Sequence, residues 1–246
     1  MATKKKSRMR KVYFLRFLYR VCVLIALALL FAIRPGTADI IEGTAVFSQF
    51  HPTHLFLYAL WGIWTFDMIF QIVPSKGWFS MGSLKVFGRN YSPCANCDQV
   101  DRRALRKRYF KEGLRIWYFW GPLTAALAAA WFLWLKPMGA YWFPMLFVAA
   151  FYVCDLICVL FWCPFRVWFM KNRCCTTCRI FNWDHFMMFT PFLFVPGVYT
   201  WSLAGLSVII MVIWEIQVFT HPERFTDACN DTLKCKNCTD RLCGKF

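Results

Sequence analysis

Long apolar runs alternate with short polar segments along almost the whole chain. Four runs cover residues about 12–33, 54–73, 116–135 and 141–163. Each is long enough to cross a hydrocarbon core of about 30 Å as a helix. In lipid, a helix satisfies its own backbone hydrogen bonds, and few other structures do. The pattern therefore predicts an all-α fold: a polytopic integral membrane helical bundle.

The last apolar stretch, residues 186–220, is too long for one span and short for two. Pro196-Gly197 and Ala204-Gly205 offer breaks. We interpret the stretch as two spans, about 186–201 and 205–220, joined by a tight turn near Trp201 to Gly205. The bundle then has about six transmembrane helices. The alternative is one kinked helix, which gives five spans and moves the C-terminal tail to the other side.

These runs divide the chain into a basic tail (1–11), the bundle (12–220) and a cysteine-rich tail (221–246). Inside the bundle, polar loops cover 74–115 and 164–185. The segment from Asp101 to Arg115 reads as a charged helix that continues into the third span, with Asp98 or Asp101 as its cap. The first run also resembles a signal peptide, but no clear small-residue cleavage site follows it, so a membrane helix is preferred.

Charge orients the predicted bundle. The chain has 246 residues, 29 of them Lys or Arg and 13 Asp or Glu, and its net charge is +16. With six helices and the N-terminus inside, only Arg34 and Lys136 lie in outside loops, which indicates cytosolic termini. The basic residues then have anionic inner-leaflet headgroups as partners, and nucleic acid is not expected. We expect the plasma (inner) membrane of a prokaryote, with the cysteine clusters facing the cytosol.

Nine cysteines lie in three polar segments that fall on this predicted cytosolic face. Thiolates in C-x-x-C spacing bind zinc and softer metals, and a reducing compartment disfavours disulfides. We pair the first two clusters into one site, with the tail as a second site and Cys163 as a substitute ligand near the membrane surface. The predicted metal ligands are Cys94, Cys97, Cys175, Cys178, Cys229, Cys235, Cys238 and Cys243.

The same thiolate sets fit either zinc or an iron–sulfur cluster. Zinc is slightly favoured, because it staples short loops that have no core of their own and needs no partner machinery. The first functional hypothesis is therefore a membrane scaffold or partner-binding subunit with zinc sites. The alternative is an iron–sulfur protein that transfers electrons at the membrane, to a quinone or a partner membrane or cytosolic subunit.

Three carboxylates fall inside predicted spans, at a similar depth about two-thirds of the way from the outer surface: Asp67, Asp155 and Glu215. Such residues are costly in lipid and mark either ion pairs or a functional site. Cys154 and Cys158 lie one turn apart beside Asp155. The five residues form a possible intramembrane polar site, and a third hypothesis is a soft-metal transporter that uses Cys154, Asp155 and Cys158.

The sequence indicates no catalytic residue. The motifs G-x-x-x-x-G-K-[ST], G-x-S-x-G and H-E-x-x-H are absent. This argues against a familiar nucleotide hydrolase, serine hydrolase or zinc protease. Whether the protein is an enzyme therefore stays open.

Overall fold

The computed structural model describes residues 8–42, 52–73, 87–95, 97–172 and 178–237. Five long helices within these ranges have the length and composition to cross a membrane, which agrees with the predicted membrane helical bundle. A sixth helix is short. The six are α1 (Arg8–Ile33), α2 (Pro52–Ile72), α3 (Arg102–Ala130), α4 (Trp142–Leu160), α5 (Asp184–Phe189) and α6 (Val198–Thr220).

Helix α3 begins in the polar loop, well before the apolar run. The side chain of Asp101 accepts a hydrogen bond of 2.8 Å from the backbone N–H of Arg103, so it caps the helix as the sequence predicts. The charged first turns continue without a break into the apolar part. One wider helical turn, Trp131–Leu135, then completes the span.

The tight turn predicted near Trp201 to Gly205 does not occur, because these residues are helical and belong to α6. The break lies at Pro196-Gly197 instead, where Gly197 is extended just before α6 begins. Before it, α5 passes into a tighter helical segment, Thr190–Phe194. A glycine inside a helix costs only about 1 kcal/mol, so Gly205 is a weaker break than proline.

The segment from α5 to the start of α6 runs alongside α2. At one end, Gln71 Nε2 is 2.8 Å from His185 Nδ1. At the other end, the Tyr199 hydroxyl donates a hydrogen bond of 2.9 Å to the carbonyl oxygen of Leu57. Residues 57 and 71 lie about 21 Å apart along a helix. This interrupted segment therefore covers most of the length of α2.

Aromatic residues fill the centre of the bundle. Trp64 of α2 is fully buried, and its ring meets the edges of Phe189 at 5.6 Å and Tyr152 at 6.2 Å between centroids. Helix α1 packs mainly on α4, and α2 packs on α6. Large apolar side chains on the outside of the bundle, such as Leu15 and Leu29 of α1, are exposed. Outward apolar side chains of this kind suit a lipid environment.

The polar parts of the chain meet at one end of the bundle. Arg102, at the start of α3, lies 3.8 Å from Glu223, just after α6. The ring of Phe17 in α1 packs 5.5 Å from that of Phe161, just after α4. We call this the cysteine-rich end, because Cys94, Cys97, Cys163 and Cys229 lie there.

Candidate functional site

A buried arginine joins three of the long helices. Arg20 of α1 has a side chain that is only 7% exposed. Its Nη1 donates to Asp155 Oδ2 of α4 at 2.7 Å, and its Nη2 donates to Asp67 Oδ2 of α2 at 3.1 Å. We call Arg20, Asp67 and Asp155 the arginine triad. Asp67 and Asp155, two of the carboxylates that the sequence places inside spans, therefore share one arginine as their ion-pair partner.

Tyr152 completes the surroundings of the Arg20 guanidinium. Arg20 Nη1 also donates to the Tyr152 carbonyl oxygen at 2.7 Å. The guanidinium carbon lies 3.7 Å from the centre of the Tyr152 ring, which is a cation–π contact. Several donors of the planar guanidinium are therefore used at once, an arrangement that a lysine ammonium does not reproduce.

A polar cavity of about 40 Å³ borders the arginine triad. Gln71, Asp184 and His185 line it together with the triad. His185 Nδ1 lies 2.8 Å from both Gln71 Nε2 and Asp184 Oδ1, so it either accepts from Gln71 or donates to Asp184. His185 Nε2 has no hydrogen bond and lies 3.9 Å from Asp67 Oδ2. The cavity thus combines opposite charges with a buried imidazole.

Glu215 does not belong to this group. Its carboxylate pairs with Arg179, whose side chain is only 3% exposed, and accepts a hydrogen bond of 2.7 Å from Trp183 Nε1. Glu215 lies seventeen residues from the start of α6, about 26 Å along the helix. It is therefore closer to the cysteine-rich end than Asp67 and Asp155, and the shared depth predicted for the three carboxylates does not hold.

Cysteines from two distant segments meet beyond the helix ends. The backbone N–H of Cys94 donates to the Cys229 carbonyl oxygen at 2.9 Å. The Cys229 thiol lies 3.9 Å from the Cys97 carbonyl oxygen. Burial, followed by a hydrogen bond with the Cys97 thiol and the nearby charges of Cys97 and Cys94, raises the pKa of Cys229 to about 12. Three of the eight predicted ligands are therefore close neighbours.

Backbone pairing holds this contact together. Pro93 and Asn230 form an isolated antiparallel bridge, and the N–H of Asp231 donates to the Ser92 carbonyl oxygen at 2.8 Å. Asn230 is fully buried, and its side-chain amide donates to the Arg224 carbonyl oxygen at 2.9 Å. The loop that carries Cys94 is thus fixed to the tail that carries Cys229.

Of the two ligands predicted from the second cysteine cluster, the structure describes only Cys178, so the predicted pairing of the first two clusters stays a prediction. Cys178 is buried in a separate apolar cluster with Trp120, Met170 and Trp183. It is Cys229 of the tail that joins Cys94 and Cys97. Cys235 follows Lys234 in the same tail and is exposed. Cys175, Cys238 and Cys243 lie outside the described residues.

The three neighbouring cysteines do not form a finished metal site. Across residues 8–42, 52–73, 87–95, 97–172 and 178–237, no three His, Cys, Asp or Glu side chains are arranged to hold a metal ion. The Cys94 thiol instead lies 3.9 Å from both the Asp227 carbonyl oxygen and Asp231 Oδ1. Metal binding here requires the thiols to turn toward one point and a fourth ligand to join them.

Comparison with known proteins adds no further constraint. No protein-family model, curated protein or solved structure matches the chain. The assignment of function therefore depends on the geometry alone.

A second set of thiols surrounds an apolar cavity of about 90 Å³ between the end of α4 and the start of α5. Cys154, Cys158, Cys163 and Cys178 all line it. The Cys158 thiol is hydrogen-bonded to Cys163. Cys163 Sγ also accepts from the backbone N–H of Arg166 at 3.3 Å. The predicted pair Cys154 and Cys158 thus extends to Cys163, which the sequence suggested only as a substitute ligand.

Sequence reasoning missed the role of Arg20. A usable signal was present in the span lengths. Arg20, Asp67 and Asp155 each lie thirteen positions from the end of their span that is farther from the cysteines. Those ends are Ile33, His54 and Trp142. All three side chains therefore lie about 20 Å from the same end. Equal depth and opposite charge together point to an ion pair.

Proposed function

We propose that the chain is an integral membrane scaffold in which a thiolate-bound zinc ion fastens the loop carrying Cys94 and Cys97 to the C-terminal tail. One observation carries the proposal: Cys94, Cys97 and Cys229 lie together although more than 130 positions separate Cys229 from either of the others. Zinc prefers four such ligands in structural sites. The fourth can come from the tail, which contains Cys235, Cys238 and Cys243.

The location of this contact suits a zinc staple, by which we mean a structural zinc ion that joins the loop of Cys94 and Cys97 to the tail of Cys229. Loop and tail are short segments beyond the long helices, anchored to the core by single side chains such as Phe87 and Phe225, and short segments gain order from a bound metal. The contact also sits at the junction of α3 and α6, as the approach of Arg102 to Glu223 shows. A zinc ion there would hold two long helices in register and give the protein a rigid face for a partner.

The membrane topology is part of the proposal. We propose six passages, in which the interrupted segment 184–197 is the fifth, so that both chain ends lie on one side. The excess of basic residues at that side places it in the cytosol by the positive-inside rule, and a prokaryotic inner membrane is the setting that we propose. A reporter fused to the C-terminus and active only in the cytosol tests this orientation. Activity of the same reporter after Lys136 would contradict it.

Metal analysis of protein purified anaerobically in detergent tests the staple. We expect about one zinc ion per chain and no visible colour. Cys94→Ser and Cys229→Ser should both lose the zinc, whereas Cys22→Ser, which changes an exposed thiol of α1, should keep it. Zinc-free protein would refute the proposal. Iron with an equal amount of sulfide would replace the zinc staple with the iron–sulfur alternative.

The scaffold role has a separate readout. Loss of zinc should expose the backbone around Ser92 and Asp231 to hydrogen exchange, because their hydrogen bond joins the two segments. Exchange in α2 and α4 should stay unchanged. Uniform loss of protection across all helices would show that the metal supports the whole fold and does not act as a local staple.

A further inference from the structure

We propose that Cys158 and Cys163 form a redox-active dithiol that exchanges with small, uncharged disulfides entering the apolar cavity beside them. This site is separate from the zinc site proposed above, whose ligands are Cys94, Cys97, Cys229 and a further cysteine of the tail. The inference follows from three features of the geometry: a thiol pair, a thiolate-stabilising backbone and an apolar cavity that reaches the pair.

The thiol pair is the first feature. Cys158 lies in the last turn of α4 and Cys163 follows three residues after the helix ends. Their side chains are already joined by a hydrogen bond. In the described part of the chain, no further His, Cys, Asp or Glu completes a metal-binding group around them. Two thiols are what a disulfide needs, whereas a zinc site needs four ligands.

The second feature is the environment of Cys163. Its sulfur accepts hydrogen bonds from Cys158 and from the backbone N–H of Arg166, the latter at 3.3 Å. The hydrogen bond from Cys158, and then the backbone donors, lower the pKa of Cys163 to about 6 although burial acts in the opposite direction. A thiolate is the attacking species in exchange with a disulfide. Cys163 is therefore the attacking residue and Cys158 the resolving one.

The third feature is the cavity, which selects the partner. Its wall is formed largely by apolar side chains such as Phe151, Val159 and Phe181. Three charged residues line it: Asp155 and Asp184 are acidic, and Arg166 is basic. An uncharged aromatic or aliphatic disulfide fits this lining, and an anionic one is disfavoured because it must lose its water to enter an apolar cavity.

The exchange between the Cys158–Cys163 pair and a small disulfide takes two steps. The Cys163 thiolate attacks one sulfur of the small disulfide, which forms a mixed disulfide and releases one thiolate that takes up a proton. The Cys158 thiol then loses its proton and attacks the Cys163 sulfur. A Cys158–Cys163 disulfide forms, and the second small thiolate leaves and is protonated. Two protein thiols are oxidised, and one disulfide is reduced to two thiols.

The experiment uses the full chain in detergent and dithiodipyridine, an uncharged aromatic disulfide, as the probe. After an acid quench and alkylation, peptide mass analysis shows the state of each cysteine. In the wild-type protein we expect a Cys158–Cys163 disulfide. In Cys158→Ser the mixed disulfide at Cys163 should accumulate, because nothing resolves it. Cys154→Ser, which changes a thiol one turn away in the same cavity, should behave as wild type.

The rate at about pH 5.5 separates an activated thiol from an ordinary one. A pKa of about 6 gives Cys163 roughly 200-fold more thiolate than an ordinary cysteine there, and the lower nucleophilicity removes about tenfold of this. We therefore expect Cys163 to react with dithiodipyridine at least about tenfold faster than the thiol of a short cysteine peptide at the same pH. A negatively charged aromatic disulfide should show a much smaller preference.

Three results would overturn the proposal. One is that Cys163 reacts no faster than the thiol of a short cysteine peptide. Another is that wild-type protein keeps a stable mixed disulfide without resolution by Cys158. The third is that copper(I) protects both thiols at one equivalent while no disulfide forms, which would assign the cavity to a soft metal. None of these results bears on zinc at Cys94 and Cys229, so the two proposals fail separately.

Discussion

Replacing Arg20 with methionine should destabilise the protein strongly. Methionine has a similar length and no charge, so the change removes the cation and leaves most of the packing. Asp67 and Asp155 then remain with no cation between them. Each carboxyl must either stay charged and unpaired or bind a proton, and both outcomes cost free energy in a buried position.

The geometry sets the size of the effect. Arg20 is nearly buried and makes three short contacts, to Asp67, to Asp155 and to the Tyr152 carbonyl oxygen. Removing one partner of a buried ion pair costs about 3–5 kcal/mol. For a protein of this size that corresponds to a fall in Tm of about 6–20 °C. The Tm of Arg20→Lys should lie between those of the wild type and Arg20→Met, since one ammonium cannot serve all three acceptors as a guanidinium does.

Thermal unfolding of the detergent-purified variants measures the fall in Tm. The matched control is Arg10→Met, an exposed arginine on the same helix, which should change Tm little. The informative variant replaces the arginine triad as a whole, with Arg20→Met, Asp67→Leu and Asp155→Leu. Because no charge is then left buried, we expect most of the loss to be recovered. The reasoning is refuted if Arg20→Met matches Arg10→Met, or if the triple variant is no more stable than Arg20→Met.

Three further outcomes follow from single contacts. Glu215→Gln should cost about 1.5–3 kcal/mol, because Arg179 loses its counter-charge, and chemical unfolding should detect it. Asp101→Ala should cost about 1 kcal/mol by removing the cap of α3, with Asp101→Asn nearly neutral by the same assay. Tyr199→Phe leaves the Leu57 carbonyl oxygen without its hydroxyl partner and should lower stability by about 1 kcal/mol. Unchanged stability in any of these variants would show that the corresponding contact does not stabilise the fold.

The long helices were predictable because each is encoded locally. An apolar run of membrane length predicts a span whatever its neighbours are, and the cap at Asp101 is a local signal as well. The break before α6 was harder. Proline at 196 and glycine at 205 both signal a break, but only proline also removes a hydrogen-bond donor. The chain continues as a helix through Gly205, because the packing of α6 as a whole against α2 offsets the modest cost of one glycine.

The sites were less predictable because they depend on which helices are neighbours. The sequence shows carboxylates inside spans but not that α1 packs on α4, which brings Arg20 to Asp155. It shows C-x-x-C pairs but not that Cys229 of the tail meets Cys94 and Cys97. Depth along a span can be counted from sequence, whereas rotation and packing partners are set by long-range contacts.

All the candidate chemistry lies in one half of the molecule, and this limits how ligands reach it. The arginine triad lies about 20 Å from the far end of the spans, which leaves about 10 Å of a 30 Å hydrocarbon core on its other side. The apolar core around Trp64 and Tyr199 fills the far half. The zinc ion that we propose must therefore arrive from the cysteine-rich end. An uncharged disulfide can also arrive through lipid, since Cys154 is exposed on the outside of α4 and lines the same cavity.

If the cavity opens to lipid, dithiodipyridine should oxidise the Cys158–Cys163 pair in sealed vesicles of either orientation. A membrane-impermeant chelator should remove the zinc only where the cysteine-rich end faces outward.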